Sequence, residues 1–187
     1  MQATIWTVGH GNRLAEEFLA VLGAAEIECL VDVRAYPASR RHPHFARVAL
    51  EKSLAATGIR YIWEGAALGG RRRPRSDSPH TALRNAAFRA YADHMMTDEF
   101  RQGAHRLIGI SGERHVAVMC AERLPWQCHR FLIADYLTAH RVRVIHLVNP
   151  GREQEHRMSD AARISEGGLV YDRDTQLEIG WQGEGRG

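Results

Sequence analysis

Short apolar runs alternate with segments of helical spacing along most of this chain, and that alternation constrains the fold more than any other feature. Thr4-Ile5-Trp6-Thr7-Val8 is a β-rich run ending at Gly9. From Leu14, the apolar positions Leu14, Phe18, Val21, Leu22 and Ala25 follow the spacing of one helix face. Asn12 is the predicted N-cap, with Glu16 and Glu17 near the positive end of the helix dipole. Ile27 to Val33 is nearly continuous apolar sequence broken only by Glu28 and Asp32, which suits a strand covered on both faces. The pattern then predicts a helix over Arg47–Thr57 stopped by Gly58, a strand over Ile59–Trp63 and a loop over Gly69–Leu83. A helix over Arg84–Met96 follows, then one capped by Thr97 with Phe100, Ala104, Leu107 and Ile108 on one face. His115–Met119 reads as a strand, Arg130–His140 as a helix and Val142–Val148 as a strand. Leu169–Tyr171 and Gln176–Ile179 are candidates for short extra strands. Strands alternating with helices predict an α/β chain. The expected form is a single three-layer, Rossmann-like domain whose mostly parallel sheet has about five strands, with helices on both faces. Residues 1–150 would form that domain. Residues 151–187 would be a C-terminal extension packing on it, with a frayed Gly-rich end from Gly180 to Gly187.

Composition narrows the chemistry. At 187 residues with 44% apolar and 25% charged side chains, the chain can bury a core of ordinary size. No stretch approaches the roughly 20 apolar residues of a membrane span. Met1-Gln2-Ala3-Thr4 lacks the basic and apolar regions of a signal peptide. Three cysteines are too few for a disulfide scaffold, so the expectation is a reduced, cytoplasmic protein. Of 25 basic residues only Lys52 is a lysine. It follows no glycine-rich turn, which excludes a Walker A loop, and it is the sole candidate for Schiff-base chemistry. The arginine excess fits either codon usage or recognition of anions by guanidinium forks. Net charge is only +3, yet residues 34–75 hold nine Arg and Lys52 against Glu51 and Glu64.

In an open parallel sheet, ligands bind outside the carboxyl ends of the strands, so the segments after strands carry the chemistry. The first such segment is Gly9-His10-Gly11-Asn12-Arg13, the second runs from Arg34 through Arg40 and Arg41 to His44, and the third from Cys120 to Arg130. His10 between two glycines is either a turn residue or part of a ligand loop. Asp32 is either a buried partner of Arg34 or a carboxylate that orients a catalytic group. Arg34, Arg40 and Arg41 are either solvated or anion-binding. The run Arg71-Arg72-Arg73-Pro74-Arg75 suits a nucleic-acid backbone or a disordered charged loop equally. Cys128, beside His129 and Arg130 at a predicted helix start, has the setting that lowers a thiol pKa. Cys120 sits at a strand end eight residues earlier. The pair is a nucleophile with a resolving partner, a metal site or two inert thiols. A zinc or iron site would draw on Cys120, Cys128, His129 and His10. Otherwise no cofactor is implied. Cys29 lies within a strand and reads as core.

These residues carry a family resemblance. Thr7-Val8-Gly9-His10-Gly11-Asn12-Arg13, Val31-Asp32-Val33-Arg34 with Pro37 and Ser39-Arg40, Leu68-Gly69-Gly70 and Tyr91-Ala92-Asp93-His94-Met95 stand in the order of the DUF488 family. So do Met119-Cys120-Ala121-Glu122 with Pro125, Cys128-His129-Arg130, Ile133-Ala134 and Val144-Ile145-His146. The chain resembles that family over about residues 4–150, and Glu155-His156 resembles its tail. Gly11 stands where serine is commoner. The resemblance implies a compact cytosolic α/β domain and names no reaction. Val31-Asp32-Val33-Arg34, with a cysteine after a later strand, is also similar in layout to rhodaneses. Cys120, however, is followed by Glu122 and a proline-containing loop instead of a tight amide cradle.

The leading expectation is an enzyme acting on a phosphate-bearing substrate, a nucleotide or nucleic acid. Asn12, Arg13, Arg34, Arg40 and Arg130 would hold the anion. Cys128 or Cys120 would be the nucleophile, His10 or His129 the acid/base, and Asp32 or Glu122 would orient a histidine. The alternatives are a nucleic-acid-binding module without turnover, using Tyr36 and Trp126, a metal site, and rhodanese-like sulfur transfer. The expected partner is an anionic small molecule or nucleic acid, not a membrane. Nothing in the sequence fixes an oligomeric state.

Overall fold

The computed structural model describes residues 2–173. The strand expected at Gln176–Ile179 and the frayed end at Gly180–Gly187 lie outside the described residues. The chain runs β1 (Thr4–Gly9), α1 (Ala15–Ala24), β2 (Cys29–Asp32), α2 (Arg47–Ala56), β3 (Arg60–Trp63) and α3 (Gly65–Leu68). It continues through α4 (Ala86–Met95), α5 (Asp98–Ser111), β4 (Val116–Cys120), α6 (Arg130–Ala139) and β5 (Arg143–Asn149), then β6 (Arg152–Glu155), β7 (Ala162–Ser165) and β8 (Gly168–Tyr171).

The main sheet has six strands in the order β3-β2-β4-β1-β5-β6. The first five are parallel to their neighbours, and β6 pairs antiparallel with β5. A sixth strand is therefore added to the five expected. β7 and β8 form a separate two-stranded sheet.

Side chains alternate across the sheet with period two. Ile5, Val31, Val116, Val118 and Val144 face α3, α4, α5 and α6 and bury Leu68, Tyr91, Phe100, Leu107 and Ile133. Val8, Leu30, Ala117, Met119 and Leu147 face α1 and α2 and bury Phe18, Val21, Leu22, Leu50 and Leu54. Two apolar layers on one sheet make the three-layer α/β architecture.

Helix ends follow local chemistry. The Asn85 carboxamide accepts from the amides of Ala87 and Phe88, and Thr97 Oγ1 accepts from Phe100 N, so both side chains cap helices. Asn12 does not cap α1. The cap is Leu14, whose amide is bound by the Glu17 carboxylate at 2.9 Å, and the Leu14 side chain lies exposed off the apolar stripe. Gly58, at φ +76°, supplies the left-handed turn that ends α2. Among the described residues no helix is long and apolar enough to cross a membrane.

Candidate active site

β4 lies between β2 and β1, so the segments that leave these three strands are neighbours. Gly9 and Cys120 are partners in the register, and Asp32 is level with Met119. The first and third segments are joined by backbone bonds, His10 N to Cys120 O at 3.1 Å and Gly11 N to Ala121 O at 2.8 Å. A Cβ on Gly9 would lie 1.8 Å from the Glu122 carbonyl oxygen, so only glycine lets the two segments approach this closely.

A cavity of about 770 Å³ opens over these strand ends. Its α1/α2 flank presents His10, Asn12, Arg34, Arg41 and His42. Its opposite flank presents Cys120, Glu122, Cys128, His129 and Phe88. Tyr36 and Arg71 stand at the mouth, with the Arg71 guanidinium 5.4 Å from the centre of the Tyr36 ring.

The cysteine–histidine flank is built from the start of α6. Cys128 Sγ is 3.5 Å from the Arg130 amide, one of the unpaired N–H groups of the helix N-terminus. His129 Nδ1 is 3.3 Å from the same sulfur, and His129 Nε2 is 3.3 Å from the Val33 carbonyl oxygen. A carbonyl only accepts, so the neutral ring carries its proton on Nε2 and turns the Nδ1 lone pair toward Cys128. Tyr91 packs 4.9 Å from the ring, and a Cβ on Gly70 would sit 2.4 Å from Nδ1. Burial pushes the Cys128 thiol up, but the neighbouring Cys120 thiol and the charge and amide of Arg130 outweigh burial, and its pKa is lowered. Cys120 is shifted the other way, mainly by burial and by Cys128 beside it. Burial also lowers the pKa of His129, which keeps the ring neutral. The two thiols differ in their surroundings: Cys128 Sγ meets the Arg130 amide, whereas Cys120 Sγ meets the Glu122 carbonyl.

On the α1/α2 flank the Arg34 charge is already matched. Arg34 Nε and Nη2 donate to the Asp32 carboxylate at 2.9 and 2.6 Å, and Nη1 donates to the Phe45 carbonyl at 2.8 Å. Tyr61 adds a hydroxyl bond to Asp32 at 2.7 Å. His10 stacks on Phe45 with ring centres 4.3 Å apart. Its Nδ1 donates to the Gly11 carbonyl at 2.8 Å, leaving Nε2 bare and 3.5 Å from Arg34 Nη1. Burial pushes the His10 pKa down to about 4, with the Arg34 charge acting in the same direction.

Not every residue singled out in the sequence reaches the cavity. His10, Asn12, Arg34, Cys120, Glu122, Cys128 and His129 line it. Asp32 lies fully buried beneath it and orients Arg34, not a histidine. Glu122 has an exposed side chain; its backbone carbonyl accepts from Arg130 at 2.8 Å. Arg13 is buried and gives its guanidinium to the Gly9 and Val148 carbonyls. Arg130 is buried against Thr7 and the carbonyls of Glu122 and Arg123. Arg40 is exposed away from the cavity, where Arg41 stands instead. Neither Arg41 nor Arg71 makes an ion pair among the described residues, so both charges remain to be matched. The metal alternative finds no donor set: among the described residues no group of three or more His, Cys, Asp or Glu could hold an ion. The ring nitrogens of His129 and Nδ1 of His10 are directed at other partners. Gly70, from the Leu68-Gly69-Gly70 motif, and Gln127, from the Cys120–Arg130 segment, also line the cavity, as does Phe88, which carries no local signal that marks it in the sequence.

The fold and the cavity define a class: a parallel α/β protein with a thiol–imidazole pair at the carboxyl edge of its sheet. Within that class the chain belongs to the DUF488 family, described as a domain of unknown function, whose model matches residues 14–137. No curated protein and no solved structure matches the chain.

Proposed function

We propose that the protein is a thiol-dependent enzyme acting on a phosphate-bearing substrate, with Cys128 as nucleophile. The observation that carries this reading is the Cys128–His129 pair at the start of α6, facing a cavity shared with Arg34, Arg41 and Arg71. His129 Nδ1 takes the thiol proton while Nε2 keeps its own proton on the Val33 carbonyl. The sulfur then bonds to an electrophilic centre of the substrate, and the departing group leaves with the bonding pair and the proton from Nδ1. The α6 N-terminus and the two unpaired arginines favour negative charge on the bound substrate. Cys120 lies beside the Cys128 sulfur and helps to lower its pKa.

The test is the rate at which iodoacetamide alkylates Cys128 as a function of pH, followed by mass spectrometry. The expected midpoint lies below that of an ordinary thiol, roughly 8.5, and alkylation slows when inorganic phosphate or a nucleoside monophosphate is added. An ordinary midpoint with no protection by either ligand would remove the basis for the proposal.

A second reading, a nucleic-acid-binding module without turnover, is favoured by one observation. Tyr36 is 69% exposed at the cavity mouth beside Arg71 and suits base stacking. Oligonucleotide binding that weakens steeply with salt, and is indifferent to Cys128→Ser, would support this reading over the enzyme.

A further inference from the structure

Beneath the Cys120–Arg130 segment, on the α6 side of the sheet, four buried polar side chains lead away from Arg130. Asp135 of α6 is fully buried and accepts three bonds: from Ser159 N at 2.9 Å, from the Tyr171 hydroxyl at 3.0 Å and from His156 Nε2 at 2.8 Å. The first two partners can only give a proton to a carboxylate, so the His156 proton sits on Nε2 as well. With a single proton on the ring, His156 Nδ1 is bare and accepts from His146 Nε2 at 3.0 Å. That leaves His146 Nδ1 bare, and it accepts the Thr7 hydroxyl proton at 2.7 Å. Thr7 Oγ1 has only lone pairs left, and one accepts from Arg130 Nη1 at 3.3 Å. In this arrangement every bond points the same way, from the Arg130 guanidinium through Thr7, His146 and His156 to the Asp135 carboxylate. Burial, with His156 and Arg130 beside the ring, holds His146 neutral by pushing its pKa down to about 3.

We propose that Asp135, His156, His146 and Thr7 form a one-way hydrogen-bond relay that positions Arg130, and through Arg130 the Cys128 thiol, for chemistry. This rests on the reading of Cys128 as the nucleophile. Arg130 touches the site at two points: its amide meets Cys128 Sγ, and Nη2 holds the Glu122 and Arg123 carbonyls at 2.8 and 3.2 Å. Its Nε has no partner, so the Nη contacts alone fix the guanidinium. The titratable groups around Cys128 are Cys120 from β4, Tyr91 from α4, and His129 and Arg130 beside it. Asp135, His146, His156 and Tyr171 do not touch it, so they are positioning residues.

The relay makes a prediction that mere packing does not. His156→Leu breaks it, whereas His156→Gln keeps one donor and one acceptor in the same sense. In the full chain, His156→Leu should raise the Cys128 alkylation midpoint by about one pH unit, leaving about tenfold less thiolate at pH 7, and His156→Gln should restore it. Nitrogen-15 spectra of the wild type should show both His146 and His156 as neutral Nε2–H tautomers. A folded His156→Leu variant with an unchanged midpoint overturns the relay. So does a Nδ1–H or doubly protonated ring at neutral pH, and this measurement decides the matter if the leucine variant does not fold. An ordinary midpoint in the wild type sinks the reading of Cys128 instead, and the nitrogen spectra still judge the direction of the relay.

Discussion

Arg34 shows how a buried charge becomes tolerable at the bottom of a cavity. The guanidinium is held along its Nε–Nη2 edge by Asp32 and at Nη1 by the Phe45 carbonyl, so desolvation is offset by matched geometry. The pairing also makes Asp32 dependent on Arg34 and Tyr61, since no water reaches the carboxylate. Removing one partner of such a pair leaves the other charged and buried. Asp32→Ala should therefore lower unfolding stability by about 3 to 5 kcal/mol, read from urea denaturation. Asp32→Ala combined with Arg34→Leu should be less destabilising than the two single losses summed, because the double variant strands no charge. A loss below about 1 kcal/mol for Asp32→Ala, the level of an exposed ion pair, would show that water reaches the carboxylate. The same residue shows what was legible in the sequence. Arg34 two positions after Asp32 in a strand permitted either a partner or a catalytic carboxylate, and only the side-chain direction, set by the alternation of β2, separates the two.

At the scale of elements, the strongly patterned pieces were readable and the polar ones were not. Four of the five parallel strands, β1, β2, β4 and β5, are buried along most of their length, and their apolar runs announce them; β3, at the sheet edge, is only half-buried. β6, Arg152-Glu153-Gln154-Glu155, is exposed at every position. It exists because its backbone completes the edge of β5, a cause that leaves no hydrophobic period to detect. α3 is four residues long and has no room for a period. The candidate site divides in the same way. Its thiol–histidine flank follows a strand and opens a helix, a pattern that local sequence carries. Arg41, in the segment after β2, and Arg71, in a basic run, are marked in the sequence too, whereas Phe88 reaches the cavity from α4 and only tertiary packing brings it there. α4 itself gives a prediction. Asn85 accepts from two otherwise unpaired amides, at 2.9 and 3.2 Å, and α4 carries Phe88 to the cavity. Asn85→Ala should cost about 1 kcal/mol in thermal unfolding, and Asn85→Asp should recover most of that cost. Equal loss in both variants would show that the cap is not what starts the helix.

The whole molecule stores neutral histidines. His10, His80, His94, His129 and His146 all have lowered pKa values, in each case first because burial disfavours the charged ring. Their locations differ: His10 and His129 line the cavity, His146 sits in the relay, and His80 and His94 pack around α4. The sign of the consequence is the same for all five. In the unfolded chain these rings bind a proton below about pH 6.5. In the folded chain His10 resists until about 4 and His146 until about 3. Between those limits the unfolded state holds more protons, so stability rises with pH there and falls as acid is added. The contribution is fully present above about pH 6.5 and is lost progressively down to the folded values, on the order of 3 kcal/mol for His10 and somewhat more for His146. The lowered carboxylates Asp77, Glu155 and Asp172 act in the same direction, but they are solvent-exposed and screened. Unfolding followed by urea at a series of pH values should therefore show steep loss from pH 6.5 to 4. His146→Gln keeps the relay contacts without a titrating ring and should flatten that slope. A stability curve level across this window would mean that acid reaches the rings without unfolding the chain. The relay and the thiol pair would then titrate in the native state, and Cys128 alkylation would change over the same window.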